Sequence, residues 1–251
     1  MNYQDFCKAT KKNRYFRDYK TEEFLNGIWE SSHDLDRQVT LVEGHKFYRA
    51  QIGSDGYVSR ENEFGELCET DQPAPHKKER MKPISGSATE GRANPKGISY
   101  LYLTSDLETA IAEVRPWVGL MVSVSALKIK KDLTLIECAD FKEFENNKPP
   151  IIKSDHLSKD AKNKLVKWSY IWSSIDKAFS EPINSTDRTA EYVPTQIIAE
   201  FFKSKGIDGI AYKSSVSKGV NVVLFDLDMA DVLYSFICEV KSVKFKYSGY
   251  S

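Results

Sequence analysis

The sequence has no excess charge of either sign and no long apolar run, and each shortage argues against a class of protein. Its 36 Lys and Arg residues balance its 36 Asp and Glu residues, so a general affinity for a polyanion such as duplex DNA is not favoured, although a local basic patch is compatible with this balance. No apolar stretch approaches the roughly 18 residues that a membrane-spanning helix needs. The charged first twenty residues lack the apolar core of a signal peptide. We therefore expect a cytoplasmic protein without membrane contact.

Motifs for metal binding and for common nucleophiles are missing as well. The four cysteines are far apart and form no CxxC pair, and the four histidines have no paired spacing. Free thiols and no metal site are expected. No GxSxG elbow supports a serine hydrolase. The glycine loop at residues 91–97 is neither a P-loop, since no GK[ST] follows it, nor a dinucleotide-binding fingerprint.

The apolar residues, 41% of a chain of 251, are sufficient for a sizeable core. Their periodicity predicts many strands with a few helices. Helices are expected at 19–32, 105–116, 165–175 and 194–206. Strands are expected at 45–53, 98–104, 118–127, 132–138, 209–215 and 220–226, with an exposed or edge strand at 239–248. Residues 53–90 are rich in Gly, Pro, Ser and charge and predict a long irregular connection. This order favours an α+β fold over regular βαβ units.

Two of these helices, at 105–116 and at 194–206, have predicted ends. Ser105 and Glu108 have the spacing of a capping box at the start of the helix at 105–116, and Pro116 is expected to stop it. In the second, Pro194 lies near the expected start and Gly206 is the expected C-cap.

A carboxylate on the first of these helices is a candidate catalytic group. An apolar stripe at i, i+3, i+4 and i+7 predicts the buried face, and Glu113 lies at the border of that stripe. A partly buried acid near a helix C-terminus is electrostatically disfavoured, so it needs a cationic partner or has a function. The structural alternative is a salt bridge to Arg115 or to another surface arginine.

The residues before this helix add an arginine and two aromatic rings. Arg92 lies in a glycine-containing loop, where a guanidinium suits phosphate oxygens, and Tyr100 and Tyr102 share one face of a strand. Taken singly, each has an ordinary interpretation, as a solvated arginine or as core tyrosines. Together with Glu113 they suit a substrate that carries a pyrophosphate and a glycosylated aromatic ring, as NAD does. Cleavage of its nicotinamide–ribose bond develops a cation that a carboxylate stabilises.

Several short motifs, found in order along residues 45–228, carry a resemblance to a known family. They are Phe47-Tyr48-Arg49-Ala50, Gly91-Arg92-Ala93-Asn94-Pro95-Lys96-Gly97, Tyr102 with Thr109-Ala110-Ile111-Ala112-Glu113, Tyr192-Val193-Pro194-Thr195-Gln196, Gly206-Ile207-Asp208-Gly209-Ile210-Ala211-Tyr212-Lys213-Ser214, and Gly219-Val220-Asn221-Val222-Val223-Leu224-Phe225. In these motifs the chain resembles the RES-domain family, whose members are toxins usually paired with an Xre-type antitoxin.

The resemblance implies an ADP-ribosyltransferase-like fold, with a mixed β core and flanking helices, that uses NAD as its substrate and no metal. Residues 45–228 would form the RES domain, with an insertion at about 51–90, a helical extension at 1–44 and a strand or tail at 229–251. The implied activity is destruction of NAD by hydrolysis or phosphorolysis. The alternatives are mono-ADP-ribosylation of a protein target and a nucleotide-binding module without turnover.

The resemblance also implies roles for individual residues. Arg92 would bind phosphate or ribose, with Arg49 on the same pocket wall. Tyr102 would stack on nicotinamide, and Glu113 would stabilise the ribosyl cation or position the nucleophile.

Two further residues near the end of the matched region complete the implied NAD site. Ser214 would hydrogen-bond the nicotinamide amide or the ribose, and the adjacent Ser215 is an open alternative for that role. Asn221 would support the pocket, although a role in the turn is an equal alternative.

Overall fold

A computed structural model describes residues 1–61, 64–139, 159–181 and 188–244. Five α-helices are α1 (Tyr3–Lys12), α2 (Tyr19–Asp34), α3 (Leu107–Glu113), α4 (Lys159–Ser180) and α5 (Arg188–Ser204). Ten strands are β1 (Gln38–Leu41), β2 (Lys46–Ile52), β3 (Tyr57–Glu61), β4 (Leu67–Pro73), β5 (Leu101–Thr104), β6 (Met121–Ile129), β7 (Leu133–Glu137), β8 (Gly209–Lys213), β9 (Val220–Leu224) and β10 (Ala230–Glu239). No helix in these ranges is long and apolar enough to cross a membrane.

Eight of the strands form one mixed sheet in the order β1-β7-β8-β9-β5-β2-β6-β10, and β3 and β4 form a separate hairpin. Strands β7 and β8 are parallel, whereas the other neighbours in the large sheet are antiparallel. The predicted α+β class, with a mixed β core and flanking helices, is confirmed.

The sheet is nearly divided between β5 and β2. Only Tyr48 and Thr104 form a register pair there, whereas β2 pairs with β6 over seven residues and β5 pairs with β9 over all four of its residues. We call this junction the seam. Because the two strands are joined at one point, their side chains can line a cavity instead of filling a continuous sheet surface.

The two faces of the sheet have separate cores. Helices α1, α2, α4 and α5 pack on one face, where Trp172 and Phe202 are fully buried. The second core is drawn entirely from strands on both sides of the seam, including Phe47 and Leu224. The sheet therefore contributes buried side chains to a core on each side of the strands that meet at the seam.

Several sequence expectations are confirmed. The helix expected at 19–32 is α2, and the strand expected at 45–53 is β2. Gly206 ends α5 with φ +84°, and its N–H and that of Ile207 bond to carbonyl groups of the last helical turn. This is the left-handed C-terminal geometry that favours glycine. Strands β8 and β9 correspond to the strands expected at 209–215 and 220–226, and they pair with each other.

Other boundaries were predicted wrongly. The first candidate helix is capped by Asp106, whose Oδ1 accepts from the N–H of Thr109, so Ser105 and Glu108 form no capping box. Pro194 is an interior residue of α5, which begins at Arg188.

The irregular connection expected at 53–90 contains the β3–β4 hairpin. The hairpin was not predicted because this segment has a polar composition. The edge strand expected at 239–248 is not found in its described part. The strand in this region is β10, which precedes the expected strand and ends at Glu239. Residues 240–244 are outside any strand, and the remainder of that prediction lies beyond the described residues.

Candidate active site

A cavity of about 210 Å³ opens at the seam. Its walls come from β2, β5, α3 and the ends of β8 and β9. The lining residues are Tyr48, Arg49, Ala50, Tyr102, Leu103, Thr104, Ala110, Glu113, Val114, Tyr212 and Asn221. Four of the predicted site residues are therefore in one cavity: Arg49, Tyr102, Glu113 and Asn221.

Glu113 is the carboxylate of this cavity. Its Oε1 accepts hydrogen bonds from Oγ of Ser214 at 2.8 Å and from Nδ2 of Asn221 at 2.7 Å. Its other oxygen has no partner in the described part of the chain. No described arginine or lysine forms an ion pair with Glu113, so the salt bridge considered as its structural role is absent there; Arg115 is exposed and has φ +49°. One oxygen is thus fixed, and the other is available to a ligand.

The start of α3 is fastened to the turn between β8 and β9. The Asp106 carboxylate caps α3 and also accepts from Oγ1 of Thr109. The N–H of Gly219 donates to the same Oγ1, and the N–H of Val220 donates to Oγ of Ser105. A Cβ on Gly219 would lie 2.0 Å from the Asp106 carboxylate, so the turn reaches the helix only because glycine has no side chain. This contact sets the position of Glu113 relative to β9.

Ser214 and Ser215 have different surroundings. Ser214 is partly buried, and besides donating to Glu113 its Oγ accepts from the N–H groups of Val216 and Ser217. Ser215 is exposed. Ser214 therefore has the defined hydrogen-bond geometry, and it acts on the cavity through Glu113, without being one of the lining residues.

Arg49 supplies the positive charge of the cavity. Its Nη1 donates to the carbonyl oxygen of Tyr102 at 3.0 Å, across the seam. Its Nε is buried and has no hydrogen-bond partner among the described residues. Burial lowers the pKa of Arg49, but guanidinium pKa values are so high that the group stays cationic. A buried guanidinium N–H without an acceptor costs free energy that an anionic ligand would recover.

Tyr102 forms a cavity wall and also holds the glycine loop. Its hydroxyl donates to Oδ1 of Asn94 at 2.7 Å and accepts from the N–H of Ala93 at 3.1 Å. Burial raises the pKa of Tyr102, so it stays a neutral phenol. A Cβ on Gly91 would lie 2.7 Å from the same hydroxyl oxygen, and glycine is therefore required for this approach. The loop and the tyrosine form one hydrogen-bonded unit.

The structure does not place Arg92 among the lining residues. Its Nη1 donates to the backbone carbonyl groups of Phe179 and Ser180 at the end of α4. The last carbonyl groups of a helix have no intrahelical partner, and a cation is favoured there by the helix dipole. Arg92 therefore ties the glycine loop to α4.

Sequence reasoning gave no role to two tyrosines of the cavity. Tyr212 is almost fully buried, and its ring packs 5.5 Å from that of Phe179 between centroids. Burial raises its pKa well above the ordinary value. Tyr48 precedes Arg49 on β2 and lines the opposite side of the seam. Tyr212 could have been found from the even spacing that puts it, like Ile210, on the helix-covered face of β8.

The arrangement combines a carboxylate, a partly buried cation and aromatic walls. This set suits an anionic ligand that carries a planar ring and develops positive charge during reaction. Within the described residues, no group of three or more His, Cys, Asp or Glu side chains is placed to hold a metal ion. Cys7, Cys138 and Cys238 are free thiols.

Comparison with known proteins identifies the family. The model of the RES domain matches residues 70–247, which is more than half of the chain, and the chain therefore belongs to the RES domain family. The match includes Tyr102, Glu113 and Asn221 and begins after Arg49. Among solved structures, the M. tuberculosis MbcT–MbcA toxin–antitoxin complex is similar with 10% identity and a TM-score of 0.40, over 86% of this chain and 91% of that chain. No curated protein matches.

Proposed function

We propose that this protein cleaves the nicotinamide–ribose bond of NAD and so depletes the NAD of the cell. The observation that carries the proposal is the cavity at the seam, where Glu113 and Arg49 line the same space with tyrosine rings on its walls. Its volume of about 210 Å³ is below the roughly 300–1,000 Å³ typical of sites for whole drug-sized ligands. It suits the nicotinamide–ribose end of NAD, with the rest of the dinucleotide towards solvent.

Glu113 is the group that we assign to the chemical step. When the glycosidic bond breaks, neutral nicotinamide leaves with the bonding electrons, and positive charge develops at C1′ and the ring oxygen of the ribose. A carboxylate held by Ser214 and Asn221 stabilises that charge without having to reorganise. Water or phosphate then adds at C1′; a proton is lost from water, and ADP-ribose or its 1″-phosphate is formed.

The remaining groups of the cavity bind the substrate. Arg49 would offer its guanidinium charge to a phosphate or ribose oxygen, and the rings of Tyr102, Tyr48 and Tyr212, which line the same cavity, would contact nicotinamide. In this proposal Arg49 takes the phosphate contact that the sequence motif suggested for Arg92. Arg92 supports the loop that the Tyr102 hydroxyl holds.

The biological role that we propose is that of a toxin held inactive by an antitoxin. Membership of the RES family supports it. An Xre-type protein is the proposed partner, on the resemblance set out above.

The test is to incubate purified protein with NAD, with and without inorganic phosphate, and to identify the products by mass spectrometry. The proposed function predicts loss of NAD with equimolar free nicotinamide. ADP-ribose as product selects hydrolysis, and the 1″-phosphate formed only with phosphate selects phosphorolysis.

Two results would contradict it. Radioactive label transferred from NAD to a protein in a cell lysate, without free ADP-ribose, would instead select mono-ADP-ribosylation. Binding of NAD without release of nicotinamide under either condition would select a non-catalytic nucleotide-binding module.

A further inference from the structure

The segment that follows α1 is connected to the glycine loop at 91–97 through the buried side chain of Gln196. Arg14 lies before the start of the region that matches the family, and its Nη1 donates to Oε1 of Gln196 at 2.7 Å. Its Nη2 contacts Glu200 at 3.3 Å. Gln196 is on α5 and is fully buried, so its amide cannot replace lost contacts with bulk water.

The amide of Gln196 continues directly to the glycine loop. Its Nε2 donates to the carbonyl oxygens of Gly91 at 2.9 Å and Asn94 at 3.0 Å. The side chain of Asn94 in turn accepts from the Tyr102 hydroxyl, and Tyr102 lines the cavity. Arg14 and the cavity wall are therefore joined by a path of hydrogen bonds that passes through the side chain of Gln196 and through the backbone and side chain of Asn94.

The orientation of the Gln196 amide depends on this chain. Its oxygen faces a cationic donor and its nitrogen faces two carbonyl oxygens, so the flipped amide would lose every one of these bonds. Arg14 thus adds to the two carbonyl oxygens in fixing the orientation of the amide, and a charge-assisted bond of this kind is stronger than a neutral one.

We infer that Arg14 is a positioning residue of the active site: acting through Gln196, it holds the loop at 91–97 and the Tyr102 wall in place. The N-terminal segment, which lies outside the family match, then helps to position the active site. The consequence for NAD turnover rests on the function proposed above, but the positioning itself does not.

The chain offers a matched control for this inference. Lys11 of α1 forms an ion pair with Glu191 of α5 at 2.6 Å, so it also ties the N-terminal segment to α5, but it does not contact Gln196. Arg14→Ala and Lys11→Ala each remove one partly exposed cation between the same two parts of the molecule. Only Arg14→Ala breaks the path to the loop.

The experiment is hydrogen–deuterium exchange, followed by mass spectrometry, of peptides covering residues 88–102 in the wild type and both variants. The N–H of Ala93, which donates to Tyr102, is the central reporter. Arg14→Ala is expected to speed exchange in this segment about tenfold, the change expected when one charge-assisted hydrogen bond is lost. Lys11→Ala is expected to leave it unchanged, and Arg14→Lys to restore part of the protection.

Equal hydrogen exchange of residues 88–102 in the Arg14→Ala and Lys11→Ala variants would overturn the inference. Arg14 would then only attach the N-terminal segment to α5, as Lys11 does. Steady-state kinetics supply the second readout. Arg14→Ala is expected to raise KM for NAD more than it lowers kcat, since Tyr102 belongs to the binding wall. If the wild type releases no nicotinamide, the proposed function fails, whereas faster exchange confined to Arg14→Ala would still support the positioning role.

Discussion

Replacing Glu113 by glutamine removes the charge of the cavity carboxylate and little else. The Oε1 atom that accepts from Ser214 and Asn221 is kept as an amide oxygen. The new NH2 group takes the place of the carboxylate oxygen that has no partner in the described part of the chain. The variant therefore separates the electrostatic role of Glu113 from its structural one, which alanine would not.

The two effects differ greatly in expected size. Hydrogen bonds to a neutral acceptor are weaker than those to a carboxylate, and we expect a loss of about 1 kcal/mol in the free energy of unfolding. For a chain of this length that is a fall in Tm of about 2–4 °C. Loss of one preorganised electrostatic contact to a charged transition state costs about 10²–10³-fold in kcat, or about 3–4 kcal/mol. Catalysis should therefore be lost from a protein that remains folded.

The assay is nicotinamide release from saturating NAD, with thermal denaturation followed on the same samples. Glu108→Gln is the matched control, because Glu108 is exposed on the same helix and its replacement is expected to change neither quantity. Glu113→Ala should also be inactive and folded, with a larger fall in Tm because both donors lose their acceptor. A Glu113→Gln variant that keeps its turnover within threefold of the wild type would remove this carboxylate from the mechanism.

Three further predictions, tested with four substitutions, concern residues around the cavity. Ser214→Ala is expected to lower kcat about tenfold by releasing the cavity carboxylate, while Ser215→Ala, at an exposed position, leaves it unchanged; equal effects would contradict the geometry. Arg92→Ala is expected to cost about 2 kcal/mol of stability through the carbonyl groups at the end of α4, seen as a lower Tm; a raised KM for NAD with an unchanged Tm would instead support phosphate binding. Burial raises the pKa of Asp176, although its Oδ1 accepts from the N–H of Lys213. A raised carboxyl pKa means that ionisation opposes folding, so Asp176→Asn should raise Tm at pH 7. This gain should shrink as the pH falls below the raised pKa and vanish below the ordinary pKa of an Asp carboxyl; a lower Tm at pH 7 would refute it.

Local signals predicted the elements that carry the site, because these signals act within a few residues. The strand that contains Tyr102 and the helix that carries Glu113 were predicted from period-two and period-3.6 patterns. The cap was misassigned because Ser105 and Asp106 are both good N-caps. The backbone N–H and the hydroxyl of Ser105 bond to Val220, at the end of the distant β8–β9 turn, and Asp106 caps the helix instead.

Long-range partners were beyond the reach of these patterns. The guanidinium of Arg92 donates to carbonyl groups 87 and 88 residues later in the chain. No pattern in the residues next to Arg92 in the sequence indicates that contact. The same holds for Arg14 and Gln196, which are 182 residues apart. The motif matches placed Glu113, Ser214 and Asn221 in one set, and the structure brings their side chains into contact.

The seam has a thermodynamic consequence. Glu113 is on a helix that packs on β2 and β6, whereas Ser214 and Asn221 follow or belong to strands on the other side. A molecule in the cavity therefore acts as a crosslink between two halves of a sheet that has a single backbone pairing at that place. Binding in the cavity should therefore raise the Tm. A ligand that binds only the folded state, at a hundred times its Kd, adds about 2.7 kcal/mol to the free energy of unfolding.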